Sequence, residues 1–263
     1  MRLSASNIAW SDTYDEDVYK TLVSLGYTGI EIAPTRIIPS DPYDNIAKIT
    51  EWRRDINSRY GFVIPSMQSI WYGRKERLFG SIEERRALIE YTKKAVLFAK
   101  AAGCGNLVFG CPVNRAVNGI SGYEDTAISF FREIGDYAAM HDTVIGLEAN
   151  PRIYNTDFIN NTSEAFDLIE AVASKGFLLN LDVGTMIHEC EDVSILEGRV
   201  HLINHVHISE PGLVPVIRRD IHNELHSVLQ SEGYGGFISV EMRNNNDIFA
   251  LSDVLEYVSK VFL

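Results

Sequence analysis

Val144-Ile145-Gly146-Leu147-Glu148, Leu178-Leu179-Asn180-Leu181-Asp182, Ile203-Asn204-His205-Val206-His207 and Phe237-Ile238-Ser239-Val240-Glu241 are four apolar runs that each end on a carboxylate or an imidazole. Each reads as a buried strand whose last residue changes character where the strand meets solvent. One such ending is ordinary. Four of them, spaced about one strand-plus-helix unit apart, predict a site gathered at one end of a parallel barrel, where all strand C-termini converge. Glu148, Asp182, His207 and Glu241 are a mostly oxygen-donor set suited to one divalent cation: Mn²⁺, Mg²⁺, Co²⁺ or Zn²⁺. The three acids would repel one another there unless a cation neutralised them.

Outward from these runs, strand and helix signals alternate along the whole chain. Strands are expected at 3–9, 28–33, 62–68 and 106–109, followed by the four above. Helices are expected at 15–25, 45–60, 82–102, 123–140, 163–174, near 193, 220–231 and 247–261. Gly26, Gly61 and Gly103 stand where helix C-caps belong. Strict alternation at this count predicts an α/β fold, a single (β/α)8 TIM barrel domain over 1–263. An open doubly wound sheet is the alternative, but no GxGxxG follows the first strand. Two long connections, 35–44 and 69–81, leave strand C-termini on the side where barrels carry sites. The second, with Trp71, Tyr72, Arg74, Lys75, Arg77 and Phe79, reads either as a lid or as packing on the rim.

The bulk composition is that of an ordinary globular protein, enough to bury one large core. The chain has 263 residues, 46% hydrophobic and 23% charged, with a formal net charge of −12. That charge argues against broad binding to nucleic acid or anionic membranes, which needs clustered Lys and Arg. Cys104, Cys111 and Cys190 form no CxxC pair and read as thiols in a reducing compartment. Neither a signal peptide nor a membrane span is expected, so the protein is expected to be cytoplasmic. Asn160-Asn161-Thr162 matches a glycosylation acceptor but stands at an expected helix cap.

The chain resembles the xylose-isomerase-like barrel superfamily, the sugar phosphate isomerases and epimerases that include ketose 3-epimerases and the endonuclease IV branch. The resemblance runs over nearly the whole chain. It is most specific in Gly146-Leu147-Glu148-Ala149-Asn150, Leu181-Asp182-Val183-Gly184-Thr185, His205-Val206-His207-Ile208 and Gly235-Gly236-Phe237-Ile238-Ser239-Val240-Glu241. It implies that Glu148, Asp182, His207 and Glu241 hold a metal. It also implies that Glu148 and Glu241 act as acid and base on a ketose, whose C–H the cation acidifies through an enediolate. Gly29-Ile30-Glu31 resembles the second-strand motif whose Glu faces the mouth. The chain departs from the epimerase pattern at Thr185, where a His is common, and at Leu213, near which a substrate-clamping Arg is missing.

Among the remaining residues, Arg115 is the best substitute clamp for an anion or hydroxyl, with a surface salt bridge as the alternative. Gln68 and Asn150 are expected to bond sugar hydroxyls. Trp10 would stack on a sugar face or plug the barrel. His205 lies deeper on the face of His207 and reads as structural. His222 and His226, spaced i, i+4, read as a solvated helix face. The expected activity is a metal-dependent isomerase or epimerase of a sugar or sugar derivative, with no nucleic-acid or membrane partner and with a homo-oligomer open. Alternatives are an inosose-type dehydratase, an endonuclease IV-like repair enzyme and a non-catalytic sugar binder. Gln68, where that endonuclease chemistry would want a His, and the net charge both count against the repair enzyme.

Overall fold

Seven strands run parallel in one curled sheet: β1 (Arg2–Ser6), β2 (Gly29–Glu31), β3 (Asn106–Phe109), β4 (Val144–Leu147), β5 (Phe177–Asp182), β6 (Ile203–Ile208) and β7 (Phe237–Val240). Their order is β2-β1-β7-β6-β5-β4-β3. The computed structural model describes residues 1–263. The two edges of that order are joined by the extended segment 62–68. Ile30 and Ile32 donate their N–H groups to the Val63 and Ser66 carbonyls at 3.0 and 3.1 Å, and on the other side Met67 donates to Asn106 at 2.9 Å and Val108 to Met67 at 2.8 Å. The ring is thus closed as an α/β barrel. A regular third strand is expected there, but the segment makes only isolated bridges. Pro65 at its centre has no N–H to give to a ladder.

Nine α-helices accompany the strands: α1 (Asp15–Ser24), α2 (Pro34–Ile37), α3 (Ile46–Tyr60), α4 (Ile82–Ala102), α5 (Glu124–Ala139), α6 (Thr162–Val172), α7 (Val183–His188), α8 (Asp220–Ser231) and α9 (Ile248–Phe262). Their ends follow local chemistry. Ser81 accepts from the Glu84 N–H while Glu84 accepts from the Ser81 N–H, a capping box that starts α4. Gly61 and Gly103 end α3 and α4 in the left-handed conformation, at φ of 75° and 65°. The cap of α6 is Asn161, its side chain accepting from the Glu164 N–H at 2.9 Å. Asn160 is buried and donates to the Asn150 and Thr156 carbonyls, so its amide is withdrawn from the surface. The helix expected near 193 is a short 3₁₀ turn, Val193–Leu196, and α7 begins directly at the end of β5.

Side chains alternate across every strand. Leu3, Ala5, Ile30, Leu107, Phe109, Ile145, Leu147, Leu179, Leu181, Val206, Ile208, Ile238 and Val240 belong with the helices to one contiguous apolar cluster. The inward set is mostly polar or glycine, with Val108 the apolar exception at the mouth. Asn106 donates to Ser66 and to Asn180 at 3.0 and 3.1 Å, and Ser239 meets both Ser4 and His205. Gly146 provides the space for Asn106: a Cβ there would meet Asn106 Oδ1 at 2.4 Å. Barrel interiors are more commonly layers of branched apolar side chains. Here a hydrogen-bonded network runs from the floor to the mouth.

The loop 69–81 packs on the rim. Trp71 is buried against Phe109 and Phe130 and donates its indole N–H to Thr92 at 2.9 Å. Leu78 and Phe79 are buried as well, and Tyr72 is the exposed aromatic of the loop.

Candidate active site at the barrel mouth

Register brings the four strand endings together. Asp182 pairs with His207 across β5 and β6, and His207 with Ser239 across β6 and β7. Glu148 and Glu241 are the first residues past β4 and β7. Glu148, Asp182, His207 and Glu241 each offer a ligand atom, and these atoms lie within 4.8 Å of one another. His207 is at the centre. Its Nδ1 lies 3.0 Å from Glu148 Oε1 and 3.1 Å from Glu241 Oε2, and its Nε2 lies 2.8 Å from Glu31 Oε2.

The electrostatics follow from burial and crowding. Burial pushes Glu241 up to about 7, with Glu148 and Glu31 adding to the rise against the opposing His207 charge. Burial and then Glu148 also raise Asp182, despite hydrogen bonds from Ser209 and Thr185. Burial alone would lower His207, but Glu31 and Glu241 hold it well above the usual imidazole range. Burial would likewise raise Glu31, yet the charge of His207 and hydrogen bonds from His205 and His207 hold it well below the usual carboxylate range. A compact set of acids that resists full ionisation fits a divalent cation, which would replace the protons. In that arrangement His207 Nδ1 faces the carboxylates and Nε2–H donates to Glu31, which fixes the tautomer and the ring.

A stability test follows. Between the ordinary carboxylate value of 4.5 and about 7, the folded metal-free protein keeps a proton on Glu241 that the unfolded chain has lost. The raised His207 acts in the same sense above 6.5. Both contributions stabilise at lower pH and disappear as pH rises. The metal-free melting temperature is therefore expected to fall between about pH 6 and about pH 8, with added Mn²⁺ restoring more at the higher pH. A flat metal-free profile with no metal effect would overturn this account of the cluster.

The other sequence-derived candidates occupy distinct places. Asn150 lines the mouth and donates to Glu148 Oε2 at 3.0 Å. Gln68 reaches the same wall, its amide donating to Glu31 Oε1 at 3.1 Å and to Ser6. Glu31 is fully buried beneath the imidazoles rather than facing the mouth. The Thr185 N–H donates to Asp182 Oδ2 at 2.8 Å, and its hydroxyl lies the same distance from that oxygen, so Thr185 aims the carboxylate. Trp10 is buried at the rim and donates to Asp15 at 2.8 Å, off the cavity wall.

Arg115 is neither on the surface nor in a salt bridge. It is fully buried, and its Nη2 donates to Asn150 Oδ1 at 3.0 Å, behind the wall. Burial lowers it to about 10. His222 is buried and bonded to the Tyr257 hydroxyl at 2.9 Å, contrary to the solvated face expected of it, because α8 turns that side toward α9.

The structure adds residues that the sequence reading passed over. Asn180 donates to Glu148 Oε1 at 3.0 Å and lies 3.3 Å from His207 Nδ1. Ser209 donates to Asp182 Oδ1. A polar residue two positions before Asp182 in an apolar strand shares its face, and that parity was the available signal. The mouth encloses a cavity of about 190 Å³, walled also by Ser69, Val108, Gly110, Cys111, Pro112, Tyr154 and Leu213. Ser69, Cys111 and Leu213 come from three different loops and all sit at positive φ, between 45° and 56°. Such backbone strain is held where the surroundings over-determine it, as at the wall of a site.

The family model described as xylose isomerase-like TIM barrel matches residues 19–258. Among solved structures, D-psicose 3-epimerase from Clostridium cellulolyticum H10, determined with D-tagatose, superposes with a TM-score of 0.79 at 16% identity, covering 100% of this chain and 99% of that one. A 3-keto-D-glucoside 4-epimerase from E. coli gives 0.78 at 20%, covering 99% of each chain. A probable 3-DHS dehydratase involved in petrobactin synthesis from Bacillus anthracis gives 0.74 at 18%, covering 99% and 98%. At these identities the likeness is one of fold. No curated protein matches the sequence, and no helix is long and apolar enough to cross a membrane.

Proposed function

We infer that this chain, which belongs to the xylose isomerase-like TIM barrel family, is a divalent-metal-dependent isomerase or epimerase of a sugar or sugar derivative. The observation that carries the reading is the convergence of Glu148, Asp182, His207 and Glu241 on one point of a polar mouth. Those four residues would hold the cation. When bound, it supplies Lewis acidity that makes the C–H beside a ketose carbonyl easier to deprotonate.

The chain's own groups do the rest. Glu148 and Glu241 flank His207, and both line the cavity. Placed on two sides of a ketose, one removes the proton from carbon and the other delivers one. Asn150 and Asn180 each donate to a different oxygen of Glu148, so its carboxylate is held in one orientation. Gln68 and Tyr154 supply further polar groups to the wall for hydroxyls.

The test is solvent exchange. In deuterated water the metal-loaded protein should place deuterium on the carbon beside the carbonyl of its ketose. Glu148→Gln and Glu241→Gln should each abolish that exchange; retained exchange in either would sink its assignment. The dehydratase reading uses the same proton abstraction with loss of a β-hydroxyl, and an unsaturated product would favour it. The acidic mouth and a net charge of −12 both oppose a nucleic-acid substrate.

A further inference from the structure

We propose that the groove between α5 and α6 is a second ligand site, for a small organic cation with an apolar body, and that its occupant tightens metal binding at the mouth. The groove and the mouth share no lining residue. Positions 164, 167, 168 and 171 fall on one face of α6, and 124, 127 and 128 on one face of α5. With the segment 157–160 these faces enclose about 540 Å³, within the roughly 300–1,000 Å³ of small-molecule sites. The floor is apolar, made by Ala127, Ile128, Phe158, Ile159, Leu168 and Ala171. Around it stand four carboxylates, Glu124, Asp157, Glu164 and Asp167, against one cation, Arg152. Asp157 and Glu164 already accept backbone N–H bonds from Val117, Asn118 and Asn160. Glu124 and Asp167 are exposed and unpaired. A ligand's ammonium group would meet those two carboxylates while its apolar body covers the floor.

The floor of the groove is bonded to the back of the mouth wall. The Ile159 carbonyl accepts from the Asn150 N–H at 3.1 Å and from Arg115 Nη2 at 3.4 Å, and Asn160 donates to the Asn150 carbonyl at 2.9 Å. Arg115 Nη2 also donates to Asn150 Oδ1 at 3.0 Å, and Asn150 Nδ2 to Glu148 Oε2 at 3.0 Å. This line is held under strain. Ile159 is a β-branched residue at φ of 58°, in the left-handed region. Arg115 is fully buried, and its Nε and Nη1 have no hydrogen-bond partner. A network with unsatisfied donors and a strained backbone stands closer in free energy to an alternative arrangement than a satisfied one does. A ligand packed on Phe158 and Ile159 favours the arrangement seen here, in which Glu148 joins Asp182, His207 and Glu241. The ligand therefore tightens the metal, and by linkage the metal tightens the ligand by the same factor.

Calorimetric titration of the full chain with 4-phenylbutylamine, 4-phenylbutanol and 4-phenylbutyrate, which share one apolar body, tests the site with no need for turnover. The amine should bind roughly tenfold or more tighter than the acid, with the alcohol between them. Ala171→Trp, at an exposed helix position, fills the groove and should abolish binding of the amine. Glu124→Gln combined with Asp167→Asn should bring the amine and the alcohol to similar affinities. Saturating amine should tighten Mn²⁺ by about fivefold or more, and Mn²⁺ should tighten the amine equally. Arg115→Met keeps a similar volume and removes the bonds to Asn150 and Ile159, so it should bind the amine without a change in Mn²⁺ affinity. Amine binding no tighter than that of the acid, or unchanged in Ala171→Trp, would overturn the site. An Mn²⁺ affinity that the amine does not move in the unaltered protein would overturn the coupling.

Discussion

His207→Ala is expected to lower the melting temperature of the metal-free protein by roughly 10 °C and to weaken Mn²⁺ binding by at least about a hundredfold. The imidazole is fully buried and serves Glu31 on one side and Glu148 and Glu241 on the other. Its removal leaves Glu31 with His205 and Gln68 alone in a site with no access to water. Stripping one partner from a buried ion pair costs about 3–5 kcal/mol. Part of that is recovered as Glu31 takes up a proton. His207→Gln separates the two effects: an amide can still donate to Glu31, so it should recover much of the stability while metal binding remains lost. Thermal melts and calorimetric Mn²⁺ titration read both. Wild-type melting and metal affinity in His207→Ala would remove the residue from the centre of the site.

Gly110→Ala is expected to cut turnover by about a hundredfold while leaving the melting temperature nearly unchanged. A Cβ at Gly110 would lie 2.8 Å from Glu148 Oε2 and 3.3 Å from Asn150 Oδ1. Neither the backbone nor the apolar core stands in the way, so the flexible end of Glu148 moves and the fold stays. The displaced carboxylate loses its bond to Asn150 and its alignment with the reacting carbon. A misplacement of about 1 Å is enough to cost two orders of magnitude in rate. Steady-state kinetics should show the loss in kcat more than in KM. Unchanged kcat would show that Glu148 has room to spare and is not held by this contact.

Much of the architecture was legible in advance because two periodicities were strong. Helices α4 and α8 have the bounds expected from their apolar stripes and flanking caps, and β3 has those expected from its apolar run. The segment 62–68 was placed correctly but not its regularity, since one proline is enough to interrupt a ladder without moving the chain out of the ring. For the site, the final residue of each run was conspicuous. Apart from His205, the residue two positions earlier was not, although Ser4, Gly29, Ser66, Asn180 and Ser239 carry the same parity into the barrel.

Roles, by contrast, depended on which neighbour each side chain meets. Arg115 looked like a clamp and stands behind Asn150, and Glu31 looked like a mouth residue and supports two imidazoles from below. Ser209 and Gly110 acquire their parts only when residues far apart in the chain are brought together. Strand parity and helix period are local properties of the backbone, so the order of residues was enough to give the barrel and to point four metal-friendly side chains at its mouth. Hydrogen-bond partners, burial and the charge left on the cavity wall are properties of packing between strands that are distant in sequence, and tertiary structure alone assigned them.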